Sequence, residues 1–282
     1  MIMLVPYHDN KAATRQHVFA VMAIFRNESH ILVEWIEHYL MFGADHIYLI
    51  NNRSTDDCLH VLSPYLADGR VSLFSCDDEG CQISAYSALL PLLCRETEWV
   101  GVFDLDEFIY PVGGGQIPEL LERHGEHESI LIPWLSFGSN GHLEQPPSVI
   151  DGFFCRGPGQ VSRAFVKAIV KPSRIIEMCQ HNPRTIDGKK ILSNGKIFGD
   201  DSFITLHEDE ICTFTLLNNH YRLQSRQYFM NVKVSRPEVH ESVKDQKKKA
   251  SFFDKNDSGW NIIVDTRLRD LRNSRNLRVG IK

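Results

Sequence analysis

The sequence predicts an α/β fold: a doubly wound, mostly parallel sheet flanked by helices, with a mixed sheet in its second half. Three observations predict it. Short apolar runs alternate with helical patterns over the first hundred residues. Polar residues, most sets with acids, stand directly after each apolar run. After residue 110 the rhythm changes, and strand-like runs follow one another with few helices between them.

HVFAVMAIF (17–25) reads as a buried strand. The next segment, 30–43, has apolar residues at 31, 32, 35, 36, 39 and 40, the helical spacing, and ends in Gly43, a good C-cap. HIYLI (46–50) is a second strand, and Ser54, Thr55 and Asp56 offer an N-cap for a helix over 57–66. RVSLF (70–74) is a third strand. ISAYSALLPLLCRE (83–96) is helical, with Pro91 expected to kink or interrupt it, and WVGVF (99–103) is a fourth strand. PVGGGQIP (111–118) is a turn-rich break. Strands are predicted at 129–138, 152–156, 164–172, 202–206 and 212–217, and a helix over 219–237, closed by Pro237. Residues 241–259 are charge-dense and predict a mobile loop.

Composition excludes several classes. A hydrophobic fraction of 43% and a charged fraction of 24% belong to an ordinary globular protein. A net charge of -5 speaks against a nucleic-acid binder. No apolar run approaches the roughly 20 residues of a membrane helix, and the N-terminus has too short an apolar core for a secretory signal. That points to a bacterial or viral cytoplasmic enzyme, soluble or peripheral to a membrane, or to a truncated chain. Seven scattered cysteines without a CxxC pair predict reduced thiols rather than a zinc site.

In a doubly wound sheet, ligands bind beyond the carboxyl ends of the strands. The residues there are Arg26-Asn27-Glu28, Asn51-Asn52-Arg53, Cys76-Asp77-Asp78 and Asp104-Leu105-Asp106-Glu107. Asp104 and Asp106 stand two apart, so both side chains can point to one side. Two solvated acids in a turn are the bland alternative. Acids packed at a strand end, however, repel each other unless a cation or a basic partner stands among them. A sugar nucleotide carries a diphosphate leaving group, and a hard cation, Mn²⁺ or Mg²⁺, offsets the charge that develops on it. Asp104 and Asp106 are therefore candidate metal ligands.

WVGVFDLDEFIYP resembles the D-x-D-E-F segment of glycosyltransferase family 92 and its family 2-like relatives. So does the opening from Phe25 to Asp57, and further matches are WLSFGSNGH (134–142), KAIVKP (167–172), an isolated His181 and NHY (219–221). The resemblance covers about residues 18–236. It implies a GT-A fold over 1–240, with a nucleotide-sugar-binding half at 17–110, an acceptor half at 111–240, and a polar loop and tail at 241–282. It implies a metal-dependent hexosyltransferase acting on a UDP-sugar and a carbohydrate acceptor, with inversion. Arg26, Asn27, Glu28, Asn52, Asp78, Gln82, Asp104 and Leu105 would hold the nucleotide, and His220 would join Asp104 and Asp106 on the metal. Trp134, Phe137, Gly138, Gly141 and His142 would shape the acceptor site. One-step inversion needs a general base, for which Glu144, His142, Asp200 and Asp201 are candidates. The family's Lys-Ser and Glu after His-Tyr read Gln224-Ser225 and Gln227 here, leaving Arg222 or Arg226 as substitutes for the lysine.

Two rivals remain. A sugar-phosphate nucleotidyltransferase would show a glycine-rich basic loop after the first strand, where this chain has Arg26-Asn27-Glu28-Ser29. An inactive carbohydrate-binding protein would have no reason to keep Asp104, Asp106 and His220. Finally, Lys244, Lys247, Lys248 and Lys249 beside Ser251, Phe252 and Phe253 read either as a lid over an anionic diphosphate or as a solvated tail.

Overall fold

The computed structural model describes residues 5–6, 17–159, 161–235 and 246–279. The first half is the predicted alternation. Strand β1 (His17–Phe25) leads to helix α1 (Ser29–Met41), β2 (His46–Asn51), α2 (Cys58–Ala67), β3 (Val71–Ser75), α3 (Gln82–Glu96) and β4 (Thr97–Val102). β1 runs parallel to both β2 and β4, and β2 runs parallel to β3. The chain thus winds outward from β1 to β3 and returns to β4 on the other side of β1. The gap between the carboxyl ends of β1 and β4 is the point where the winding direction reverses.

The two faces of β1 follow its period of two. Phe19, Val21, Ala23 and Phe25 pack with Ile31, Trp35 and Tyr39 of α1 and Leu62 of α2, while Ala20 and Met22 pack with Ala85, Tyr86 and Leu89 of α3. Gly43 ends α1 at φ +95°, the left-handed conformation its C-cap role requires.

The second half adds β5 (Glu107–Pro111), α4 (Ile117–Arg123), β6 (Ser129–Ser136), β7 (Val161–Val170), β8 (Lys190–Leu192), β9 (Phe203–Leu206) and β10 (Leu216–His220). β7 joins the halves, lying antiparallel between β4 and β6. β10 pairs antiparallel with β5 and parallel with β6. The sheet is mixed here, as the sequence predicts.

Several boundaries differ. Pro91 does not interrupt α3: it is exposed, on the solvent side of the helix where a carbonyl left without its amide partner meets water. Residues 208–213 form 3₁₀ turns, and the strand expected at 212–217 begins only at Leu216. The helix expected over 219–237 is much shorter. Asn219 and His220 complete β10, and α5 (Arg226–Tyr228) starts where the Ser225 hydroxyl accepts from the Tyr228 amide at 3.0 Å, running on as a π-helical turn, Phe229–Lys233. Pro237 lies outside the described residues.

The segment 241–282, expected as a polar loop and tail, carries α6 (Gln246–Asp257) and α7 (Arg267–Val279). Their few apolar side chains anchor them. Phe253 packs with Leu223 and Phe229, Leu268 enters the main core, and Arg272 pairs with Glu34 of α1 at 2.7 Å. Among the described residues no helix is long and apolar enough to cross a membrane. All seven cysteines are free thiols.

α1 also braces the β4–β5 turn. The Trp35 indole N–H donates to the carbonyls of Asp104 and Glu107, both at 3.1 Å, and the Tyr39 hydroxyl donates to the Glu107 carbonyl at 2.9 Å. Trp35→Phe leaves those buried acceptors short of a donor, so urea unfolding should show a loss of about 1–3 kcal/mol. An unchanged midpoint would mean the turn holds itself.

Candidate functional site

The turn between β4 and β5 sets the site. The Glu107 amide donates to the Asp104 carbonyl at 3.1 Å, and the Asp104 amide donates to the Glu107 carboxyl at 3.0 Å. The backbone is fixed from both ends, Leu105 turns into the core, and Asp104, Leu105 and Asp106 all border one cavity of about 450 Å³. That cavity lies at the β1/β4 crevice. Ile24, Arg26 and Glu28 line it from β1, Asn52 from β2, Gln82 from α3, and Trp134, Phe165, His181, His220, Arg222 and Lys233 from the second half.

The two aspartates are ion-paired, each to its own lysine. Asp104 accepts from Lys167 Nζ at 2.9 Å and from Gln82 Nε2 at 3.1 Å. Asp106 accepts from Lys233 Nζ at 2.7 Å, and its other oxygen lies 3.5 Å from His220 Nε2. Burial pushes both carboxyls up, but Lys167 pulls Asp104 below its ordinary value, and Lys233 with His220 holds Asp106 well below. Glu107 goes the other way. It is completely buried, and burial with the two nearby aspartates outweighs Lys167 at 3.3 Å, so its carboxyl is pushed well above the usual range. Burial also lowers His220, against the pull of Asp106, leaving a neutral imidazole whose Nδ1 has no hydrogen-bond partner. His181 falls to about 4 through burial and the nearby Lys167.

Most of the expected nucleotide residues gather here. Arg26, Glu28, Asn52, Gln82, Asp104 and Leu105 line the cavity. Asn27 and Asp78 do not; they build its rim. Asn27, at φ +55°, accepts from the Thr55 amide at 2.7 Å, tying the β1 loop to the β2 loop. Asn52 donates to the carbonyls of Cys76 at 2.7 Å and Asp78 at 2.9 Å, tying the β2 loop to the β3 loop.

The four candidate bases are not among the lining residues. Glu144 is exposed, and Asp200 pairs with Lys190 at 2.6 Å. Asp201 is exposed and offers its carbonyl to Asn182. The His142 ring lies 3.1 Å from the Gly152 carbonyl and packs edge-on against Phe153. Of the expected acceptor residues, Trp134 reaches the cavity and stacks near His220 at 4.0 Å, whereas Phe137 is fully buried against Tyr221. Arg222 faces the cavity, and Arg226 instead pairs with Asp254 of α6 at 2.6 Å. Lys244 lies outside the described residues, as do the side chains of Lys247, Lys248 and Lys249. Phe252 and Phe253 meet Phe229, so these rings pack rather than wait over the cavity.

Sequence reasoning missed Lys167, Lys233 and Phe165. Lys167 left a signal, a charge in the middle of the apolar run AFVKAIV, which only a buried partner justifies. Lys233 left none, because its reach to Asp106 depends on the π-helical turn.

The donor chemistry suits a hard divalent cation, since Asp106 and the neutral His220 face one another at the cavity and Asp104 keeps 35% of its side chain exposed. Yet Asp104, Asp106 and His220 do not converge: among the described residues no group of three or more His, Cys, Asp or Glu side chains is arranged around a metal position. Asp106 and His220 face one another at 3.5 Å and Asp104 is turned toward Lys167, so two ammonium groups stand beside the two aspartates.

A family profile described as Glycosyltransferase family 92 matches residues 15–258. A family 92 protein of Oryza sativa subsp. japonica is 26% identical over 176 residues, 60% of this chain and 30% of that protein. One of Ricinus communis is 24% identical over 186 residues, 59% of this chain and 32% of that protein. The matched region is thus about a third of the length of these curated relatives. Among solved structures, S. aureus TarS residues 1–349 in complex with UDP has a TM-score of 0.39 at 12% identity, covering 85% of this chain and 71% of that one. A putative glucose-1-phosphate thymidylyltransferase from Bacillus anthracis has a TM-score of 0.33 at 9% identity, covering 85% of this chain and 83% of that one. At such scores neither likeness favours one ligand chemistry over another.

Two substitutions separate the roles of the buried charges. Lys167→Met strands Asp104 without its buried cation and should cost about 3–5 kcal/mol in urea unfolding at neutral pH. Glu107→Gln keeps the shape of a side chain whose charged form burial already disfavours, and should cost about 1 kcal/mol or less. Equal losses would show that Glu107 is ionised. The acid limb gives a second check. Asp106 has a folded value below its unfolded one of about 3.9, so its contribution is whole above that pH and fades as pH falls toward the folded value. Asp106→Asn should flatten that part of the stability profile.

Proposed function

The chain belongs to glycosyltransferase family 92, and on that premise we propose that it transfers a hexose from a nucleoside-diphosphate sugar, a UDP-sugar, to a hydroxyl of a carbohydrate acceptor, with inversion. The observation that carries this reading is the placement of Asp104 and Asp106 at the β1/β4 crevice, on a cavity that also presents Arg26, Asn52 and Arg222. An anion and a nucleoside need what that crevice offers: cationic side chains, amide groups and loops tied together at their rims. Asp106 and His220, with the exposed edge of Asp104, would hold Mn²⁺ or Mg²⁺, which as a Lewis acid offsets charge on the departing diphosphate. Trp134 and Phe165, which line the same cavity, suit the apolar C–H face of a pyranose.

The test is nucleoside-diphosphate release from a panel of UDP- and GDP-sugars, with Mn²⁺, with Mg²⁺ and in EDTA. UDP should be released from a UDP-sugar with the cation present, and Asp106→Asn should lower the rate about 100-fold or more. Undiminished release in EDTA would remove the metal from the reading. Pyrophosphate release from a nucleoside triphosphate and a sugar phosphate would make the chain a nucleotidyltransferase. Binding of sugar without any release would make it an inactive carbohydrate-binding protein.

A further inference from the structure

Lys233 is the last residue of the π-helical turn Phe229–Lys233. Such turns carry one residue more per turn than an α-helix and concentrate at functional sites, because they re-aim a side chain. Here the re-aimed group is an ammonium. It lies 2.7 Å from the buried Asp106 carboxylate and 3.4 Å from Glu28, which is itself 4% exposed and accepts from the Tyr228 hydroxyl at 2.8 Å. Nζ thus bridges two acids that belong to different strand ends.

Lys167 is held differently. It comes from the middle of β7, inside the sheet, and is 1% exposed between Asp104 and Glu107. Its side chain is enclosed along its whole length, which leaves the ammonium little room to move. Lys233 stands on a short turn at the cavity wall with 16% of its side chain exposed, and its four-carbon stem can swing.

We infer that Lys233 is an exchangeable counter-ion: its ammonium and a divalent cation compete for the same Asp106 carboxylate, and the cation is admitted only as Lys233 withdraws. The argument is electrostatic. A dication on the Asp106–His220 pair and an ammonium on the same carboxylate would be like charges a few ångströms apart in a poorly solvated cavity, where repulsion is strong. Lys233 holds one oxygen of that carboxylate and His220 faces the other, so the two cations would stand across a single carboxylate, and the partly exposed lysine is the one that yields. The withdrawn ammonium would remain within the cavity, where an entering diphosphate is its natural partner. Lys233 would thereby couple cation entry to donor entry. This rests on the transferase reading for the diphosphate but not for the exchange itself.

The experiment measures Mn²⁺ binding to the full-length chain, from the electron paramagnetic resonance signal of free Mn²⁺, without any sugar nucleotide. Lys233→Met should bind Mn²⁺ about tenfold more tightly than wild type, or better. Arg222→Gln removes a charge from the same cavity without freeing the Asp106 carboxylate, and should change affinity less than about threefold. Equal affinity in wild type and Lys233→Met overturns the exchange, as does an equal gain in Arg222→Gln, which would reduce the effect to net charge. Should Lys233→Met fail to fold, Mn²⁺ in the refolding buffer is expected to restore it by replacing the lost cation; failure of that rescue, in Lys233→Gln as well, overturns the proposal. UDP binding measured in parallel keeps the two readings apart. Exchange without UDP binding leaves the counter-ion role standing and removes the transferase, whereas UDP binding with unchanged Mn²⁺ affinity does the reverse.

Discussion

The ammonium of Lys167 enters the sheet from the middle of β7 and meets Asp104 at 2.9 Å and Glu107 at 3.3 Å with almost no exposure of its own. Around it the protein has placed three carboxyl groups within four residues of chain. Such a turn would expel itself into water without compensation, because isolated buried charges are among the costliest things a fold can hold. The compensation is unequal and specific. One acid is paired by a strand lysine, one by a turn lysine, and the third has its charged form disfavoured by burial and by its two neighbours. Everything else about the site follows from keeping this turn in place.

That requirement explains the investment of α1. Its apolar stripe alone would dock it on the sheet, yet it also sends Trp35 and Tyr39 to the turn's carbonyls and His38 to the Ile109 carbonyl at 2.7 Å. Burial drives the His38 imidazole down to about 3, so it is a neutral polar strut and adds no further charge. The aromatic residues of this helix serve packing and polar satisfaction together, which fixes β5 against β4 and aims Asp104 and Asp106 into the crevice. The C-terminal helices act at one remove. Arg222 lies over the Phe252 ring at 4.5 Å and Arg226 pairs with Asp254, so α6 clamps the chain that carries Lys233.

The first hundred residues were legible because their information is local. Period-two strands, period-3.6 helices and a glycine at φ +95° announce themselves within a few positions. The position of Asp104 and Asp106 at a strand end followed from the same pattern. What was not legible depends on distant pairs. β10 hides in a polar-looking run, Leu-Leu-Asn-Asn-His, because its burial comes from lying between β5 and β6. α6 reads as a loop because two phenylalanines among lysines look like surface until Phe229 meets them. Asp200 was attractive as an acid after a glycine, and nothing local reveals that Lys190 is waiting for it.

The charge balance of the cavity gives the last step. Asp104, Asp106, Glu107 and Glu28 stand around two lysines, so these groups carry no surplus of positive charge. An entering diphosphate would bring two or more further negative charges to a site with no surplus among those groups. Arg26 and Arg222 line the same cavity. The incoming charge calls for a cation of higher charge at Asp106, or for Lys233 to turn from the aspartate to the phosphate. These are two halves of one exchange: a dication that displaces an ammonium adds its charge at the aspartate and frees the ammonium for the anion. A site built from one fixed lysine and one movable lysine permits that sequence, and a site with both lysines locked into the sheet would not.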